Sequence, residues 1–243
     1  MPALQLNSDF MFYLASYPAN KVSDGNEVEL YGNQLPSLNK ISQELGVSVA
    51  TLREQLEVAR AIGLVEVKPR TGIRRLPFTF LPAVRQSLAY ALAVEPVNFF
   101  SFSDLRNHIE AAYWYEATRL LTEEDLGILE RILFTARKKL NGHPVQIPHE
   151  EHKQLHLIIF RKLGNPFVTG LLEAYWEAYE AVELNLFADY EYLCKVWSYH
   201  QEMVEAIRAG DFQRGFIALE SHREMLFQRL DSGTPMQLEK KEF

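Results

Sequence analysis

Residues 38–56 read LNKISQELGVSVATLREQL. Leu38, Ile41 and Leu45 recur at helical spacing and fall on one face. Gly46 allows a sharp turn, and Val47, Leu52 and Leu56 resume the apolar pattern beyond it. Ser48 is placed as the N-cap of the second helix, where its hydroxyl can accept from a backbone N–H that has no partner within the helix. Two short helices packed in this way make a helix-turn-helix, which presents the outer side of its second helix to the major groove of DNA. The same apolar spacing also fits a plain helical hairpin, so the residues that follow decide between them.

Those residues are AIGLVEV (61–67) and KPRTGI (68–73). The alternation at 64–67 predicts a strand, and Gly72 sits in a basic turn before a possible return strand, which together make a wing. Lys68, Arg70, Arg74 and Arg75 crowd into eight residues, either as a local attraction for phosphate or as a solvated charged loop. Pro69, Pro77 and Pro82 disfavour helix across 68–82 and mark a joint between two differently patterned regions. The division expected is a winged domain over 1–76, a linker over 77–83, a helical domain over 84–231 and a frayed polar tail over 232–243.

Beyond the joint the signals are helical. Thr122 offers an N-cap hydroxyl with Glu123, Glu124 and Asp125 in the first turn, where acidic groups complement the helix dipole. Gly164-Asn165-Pro166 stops one helix, and Ala209-Gly210-Asp211 ends another with glycine and opens the next with a capping aspartate. Six or seven helices fit between Pro82 and Leu230. The fold class expected is mainly α: a winged helix-turn-helix followed by an all-helical bundle.

Composition agrees with a folded chain. Of 243 residues 47% are hydrophobic and 23% charged, and no apolar run reaches the roughly 18 residues of a membrane span. Met1 to Phe12 carries Asp9 and no basic stretch, so no secretory signal is expected. The single Cys194 cannot form an internal disulfide, which fits a reducing cytoplasm, and it reads as a small core residue. The net charge of −7 is unevenly placed: residues 1–82 hold 8 basic and 8 acidic side chains, and the other 161 hold 17 and 24. The excess acid therefore lies in the helical half.

Four of the seven histidines fall in a geometric pattern. His152 and His156 are four apart and share a helix face. His200 and His222 each lie eleven residues from Asp211, so a helical hairpin folded there brings them to one level on adjacent helices. Four imidazoles converging inside a bundle suit a divalent transition ion, zinc or nickel above all, while a lone histidine is usually only a hydrogen-bonded residue. His152-x-x-x-His156 has the spacing of a zinc-protease helix, but Lys153 stands where its general base Glu should be. No Gly-rich phosphate loop, nucleophile elbow or CxxC occurs, so an enzyme is not expected.

The N-terminal run resembles the GntR family of bacterial transcription regulators, whose pattern of LPS, GVS, VREAL and GLV is met here by Leu35-Pro36-Ser37, Gly46-Val47-Ser48, Leu52-Arg53-Glu54-Gln55-Leu56 and Gly63-Leu64-Val65. It departs at Val49 and Thr51, where the family usually carries Arg and Pro, so one phosphate or base contact is missing. The resemblance implies a homodimer on a double-stranded DNA operator. It puts Arg53 at the DNA, where a guanidinium can pair with guanine or phosphate, with a surface ion pair to Glu57 as the alternative. Ser48, Thr51, Lys40, Arg70, Thr71 and Gly72 are further candidates.

The helical half resembles the FCD ligand-binding domain of one branch of that family, on Arg106 with Ile109-Glu110, His152 and His156, Asn165-Pro166, His200 through Ala206-Ile207 to Gly210-Asp211, and His222. His152 replaces the usual aspartate, and losing that carboxylate favours softer ions over Mg²⁺ or Ca²⁺. The resemblance implies a ligand-responsive regulator with metal on His152, His156, His200 and His222. It also implies a small carboxylate effector at Arg106, near the start of its helix, and Asn165. For Arg106 an ion pair with Glu110 one turn along is the other reading. Some relatives bind an acyl ligand without metal, and that alternative stays open here. Tyr113, Trp114, Tyr175, Trp176, Tyr179 and Trp197 fit either a pocket wall or ordinary core.

Overall fold

Helix α1 (Asp9–Ser16), α2 (Leu38–Leu45), α3 (Val49–Ala61) and the hairpin of β1 (Val65–Lys68) and β2 (Gly72–Arg75) build the N-terminal unit. The computed structural model describes residues 8–17, 33–182 and 189–231, with side chains to residue 225. The expected tail at 232–243 lies outside the described residues.

The helix-turn-helix forms as its caps dictate. Ser37 and Ser48 each accept the backbone N–H three residues on, from Lys40 at 3.4 Å and Thr51 at 3.1 Å. Between the helices Gly46 adopts φ +69°, a left-handed conformation that costs a glycine little. Ile41, Leu52, Leu56, Ala59, Val65 and Ile73 bury their side chains together. Phe10 and Leu14 join them from α1, an element the sequence patterns did not reveal. Gln55 accepts the Phe10 N–H at 2.8 Å, and Arg75 donates to the Leu14 and Tyr17 carbonyls at the far end of α1. Those carbonyls have no partner within the helix, so Arg75 serves as its C-terminal cap.

The wing is a two-stranded antiparallel sheet in which Val65 faces Arg75 and Lys68 faces Gly72. Its turn places Arg70 at φ +71°, and Gln34 donates to the Thr71 carbonyl at 2.7 Å, which fixes the tip. The basic cluster is mostly occupied: Lys68 and Arg74 both pair with Glu66, and Arg75 caps α1.

Seven helices follow among the described residues: α4 (Leu81–Val94), α5 (Asn98–Arg119), α6 (Glu123–Leu140), α7 (His149–Phe160), α8 (Pro166–Ala181), α9 (Tyr190–Arg208) and α10 (Phe212–Asp231). Pro82 does not keep its surroundings non-helical, because it lies in the first turn of α4, where the missing N–H has no helical partner to lose. The chain divides into compact units Met1–Gln86 and Ser87–Phe243, so the division falls inside α4.

In the second unit α9 and α10 pack as an antiparallel hairpin about Gly210 (φ +71°), with Asp211 accepting from the Arg214 N–H at 3.1 Å. Trp114 of α5, Leu129 of α6, Leu155 and Ile159 of α7, Leu172 of α8, Met203 of α9 and Leu219 of α10 are fully or almost fully buried in one core. Trp114 anchors α5 to α10 by donating to the Phe212 carbonyl at 2.8 Å. Cys194, read as a core residue, is only half-buried on α9.

Thr122 opens α6 with a reciprocal capping box: its hydroxyl accepts from Asp125 N while Asp125 accepts from Thr122 N at 2.8 Å. The same carboxylate pairs with Arg161 and Lys162. Burial raises the Asp125 pKa, but Thr122 and the two cations outweigh it and hold the carboxyl well below the usual carboxylate range. A depressed folded pKa stabilises the fold above the unfolded value of about 3.9, and that contribution is lost as pH falls below it. Asp125→Ala is expected to cost about 1–3 kcal/mol in urea unfolding at pH 7, with the difference from wild type shrinking as pH drops below about 4.

Candidate metal centre and nucleic-acid interface

Three helices bring the four histidines together. His152 and His156 come from one face of α7, His200 from α9 and His222 from α10, with one potential ligand atom from each lying within 4.8 Å of the others. His156 Nε2 faces His200 Nε2 at 3.2 Å, and His152 Nε2 faces His222 Nε2 at 3.2 Å. Imidazole nitrogens about 2.0–2.1 Å from a tetrahedral ion stand about 3.3 Å apart, so the spacing fits. His156 and His200 are wholly buried, His222 nearly so, and His152 is half-buried.

Burial pushes all four imidazoles below their ordinary pKa, and His152, His200 and His222 fall well below it with the help of neighbouring imidazoles or Arg106. All are therefore neutral at pH 7, and each keeps one bare nitrogen. Glu110 on α5 lies 3.1 Å from His156 Nδ1 and 2.8 Å from Arg106. Burial alone would raise the Glu110 pKa, yet Arg106 and His156 hold it below the usual range, so it stays a carboxylate. His156 Nδ1 lies between the Glu110 carboxylate at 3.1 Å and the Arg106 Nη2 donor at 2.8 Å; in the tautomer whose Nδ1–H donates to Glu110, the Nε2 lone pair is turned toward His200, the carboxylate-backed arrangement typical of metal-binding histidine. Two bare nitrogens facing each other at 3.2 Å repel unless a cation or a proton lies between them.

Aromatic side chains enclose the cluster. Ring centroids of Trp176 and His152 are 4.7 Å apart, Trp197 lies 4.8 Å from His200, and the Arg106 guanidinium sits over the Tyr175 ring at 4.7 Å. Trp176, Tyr179, Trp197 and Tyr175 thus wall the site, Trp197 belonging also to the hydrophobic core that holds Trp114. Helical spacing could not separate the two uses. Arg106 lies in the third turn of α5 rather than near its start, and its ion pair with Glu110 is present. Asn165 caps α8, accepting from Phe167 N at 3.0 Å and Val168 N at 3.3 Å, roughly 15 Å along the helix from Trp176 at 1.5 Å rise per residue. The structure does not bring it to the histidines.

In the N-terminal unit a groove of about 480 Å³ runs between the start of α3 and the wing, lined by Val49 and Arg53 on one side and Arg70, Thr71 and Gly72 on the other. Arg53 is exposed, and Glu57, its alternative partner, pairs instead with Arg60 at 2.7 Å. Lys40 is exposed on α2, outside the groove lining, while Ser48 and Thr51 are bound to each other at 2.9 Å. Gln34, which pins the wing tip, had no signal in the sequence.

A sequence profile of the gntR family of bacterial regulatory proteins matches residues 29–74, and one of the FCD domain matches residues 102–225, half of the chain by itself. The chain belongs to the GntR family, in its FCD branch. It is a DNA-binding transcription regulator and not an enzyme. It is 22% identical over 208 residues to the uncharacterized HTH-type transcriptional regulator YcbG of Bacillus subtilis (strain 168), covering 83% of this chain and 82% of that protein. Its fold is similar to that of Streptococcus agalactiae GntR, with a TM-score of 0.61 at 16% identity over 81% of this chain and 89% of that one. It is also similar to E. coli McbR/YncC, with a TM-score of 0.51 at 16% identity over 82% and 87%. Among the described residues no helix is long and apolar enough to cross a membrane.

Within this GntR regulator's bundle Glu110 is the only carboxylate paired with Arg106 among the described residues. Removing one partner of a buried ion pair leaves the other uncompensated, which costs about 3–5 kcal/mol. Glu110→Gln keeps the shape and removes the charge, so urea denaturation should register a loss of that size. A change within about 0.5 kcal/mol would show that the pair carries no such weight.

Proposed function

We propose that this regulator is a homodimer that reads a two-fold related operator and holds one divalent transition ion, zinc or nickel, in each bundle on His152, His156, His200 and His222. The convergence of four neutral imidazoles at facing separations of 3.2 Å carries the metal reading. An all-nitrogen set suits zinc and nickel over the oxygen-seeking Mg²⁺ and Ca²⁺. Glu110 behind His156 supplies the negative charge that the ligand set lacks. When bound, the ion would cross-link α7, α9 and α10 and offer a Lewis-acidic position to an oxygen ligand.

The effector fits a small organic acid. Arg106 Nε and Trp176 Nε1 are buried donors without a hydrogen-bond partner among the described residues, and both side chains adjoin the histidines. Buried donors left unpaired are costly, and an acceptor-rich carboxylate satisfies them. Asn165 is assigned its capping role instead. Arg53 is the chief DNA contact, with Lys40, Ser48, Thr51, Arg70, Thr71 and Gly72 around it, and the work is done in the bacterial cytoplasm.

Mass spectrometric metal analysis should find about one ion per purified chain. Chelation should lower the melting temperature and re-addition restore it, because an ion bound only to the folded state stabilises it by mass action. His200→Ala should lack the ion and melt alike with and without chelator. A metal-free chain that neither takes up nor responds to zinc or nickel would overturn the metal reading and leave a ligand bound without metal. In fluorescence anisotropy Arg53→Ala should weaken operator binding by about 1–3 kcal/mol.

A further inference from the structure

Of the side chains in the first turn of α3, the one that lines the groove is apolar, Val49. Ser48 Oγ accepts from Thr51 N at 3.1 Å and lies 2.9 Å from Thr51 Oγ1, so the two hydroxyls share one hydrogen bond, and neither residue lines the groove. What remains at the helix start are Val49, half-buried and lining the groove, and the exposed methyl of Ala50. Arg53 lies one turn beyond Val49 on the same groove-facing side, across from Arg70, Thr71 and Gly72. In helix-turn-helix proteins the N-terminal residues of the second helix are the ones that reach base edges.

We propose that Val49 reads a thymine, its isopropyl group packing against the C5 methyl in the major groove of each half-site, one or two base pairs from the pair addressed by Arg53. This rests on the DNA-binding role of the winged unit. Of the groups that base pairs offer in the major groove, the thymine methyl is the one that is apolar. A valine pressed against the amino group of cytosine or the N7 and O6 of guanine would strip water from polar atoms and return no hydrogen bond. Side chains four apart on a helix are about 5–6 Å apart and base pairs along one strand about 3.4 Å, which sets the one- or two-step separation.

Selection from randomised duplexes with the full-length protein should return an invariant T·A pair within two steps of a G·C pair, and the same selection with Arg53→Ala should lose that G·C. Replacing the invariant dT by deoxyuridine removes only the methyl. Binding should weaken roughly fourfold per half-site, the transfer value of one buried methyl group. Val49→Ala should bind the thymine and uracil operators equally, while its affinity for unrelated duplex stays at the wild-type level. Val49→Arg should move the preference at that pair toward G·C. Equal affinity of the wild type for both operators, a comparison that needs no variant, overturns the assignment, as does methyl discrimination that survives in Val49→Ala. Selection that enriches no sequence would refute sequence-specific reading itself and the assignment with it.

Discussion

The three-way contact of Glu110, Arg106 and His156 is the interaction on which the interior of the bundle depends. A carboxylate without solvent is tolerated only beside a cation and hydrogen-bond donors, and Arg106 at 2.8 Å and His156 at 3.1 Å meet that need. In return Glu110 as acceptor and Arg106 as donor, both at His156 Nδ1, together govern which nitrogen of His156 carries the proton, and so whether the Nε2 that faces His200 is bare. Because α5 contributes the charged pair and α7 the histidine, the electrostatic balance and the packing of these two helices are one problem. Tyr175 and Trp176 from α8 complete the enclosure by lying under the guanidinium, a position that favours a cation on aromatic faces.

Much of this was legible because it rests on local rules. Ser48 before an apolar period, Gly46 between two such periods, and Asp211 midway between His200 and His222 each state a geometry that one or two residues enforce. The hairpin spacing sufficed to bring two histidines to the same level without any knowledge of the core. What stayed hidden needed partners distant in sequence. Helix α1 is only eight residues long and is held by Gln55 and Arg75, 45 and about 60 residues away. The same contact removes Arg75 from the basic cluster that the sequence displayed.

Asn165 and Pro82 show the opposite case, in which a local rule was available but a different use was given precedence. An asparagine before proline at a helix start is a capping residue on physical grounds, and its side-chain oxygen is spent on two backbone N–H groups. Proline within one residue of a helix start is ordinary, so the joint between the two patterned regions is partly helical. The aromatic residues were undecidable from spacing: Trp114 and Trp176 are both almost wholly buried on helices, and what separates them is tertiary, Trp114 donating to the Phe212 carbonyl within the core while Trp176 lies against the imidazole of His152.

The charge distribution raises a last physical question, since the chain carries −7 overall and binds a polyanion. At physiological ionic strength the screening length is about 8 Å, so an acidic surface much farther than that from phosphate contributes little repulsion. The residues that decide approach are therefore those at the groove. Lys68, Arg74 and Arg75 are already paired or capping within the protein, which leaves Arg53, Arg70 and Lys40 as the exposed cations of the α2, α3 and wing-tip surface that the sequence singled out for DNA. With so few phosphate contacts per chain, counterion release can supply only modest affinity, and the slope against salt should be shallow for one half-site. Pairing of two chains doubles both the charge contacts and the base contacts while leaving each reading helix as small as it is. On the reading proposed above, in which the helix presents an isopropyl group and one guanidinium, a symmetric pair would supply the contacts that a single half-site lacks.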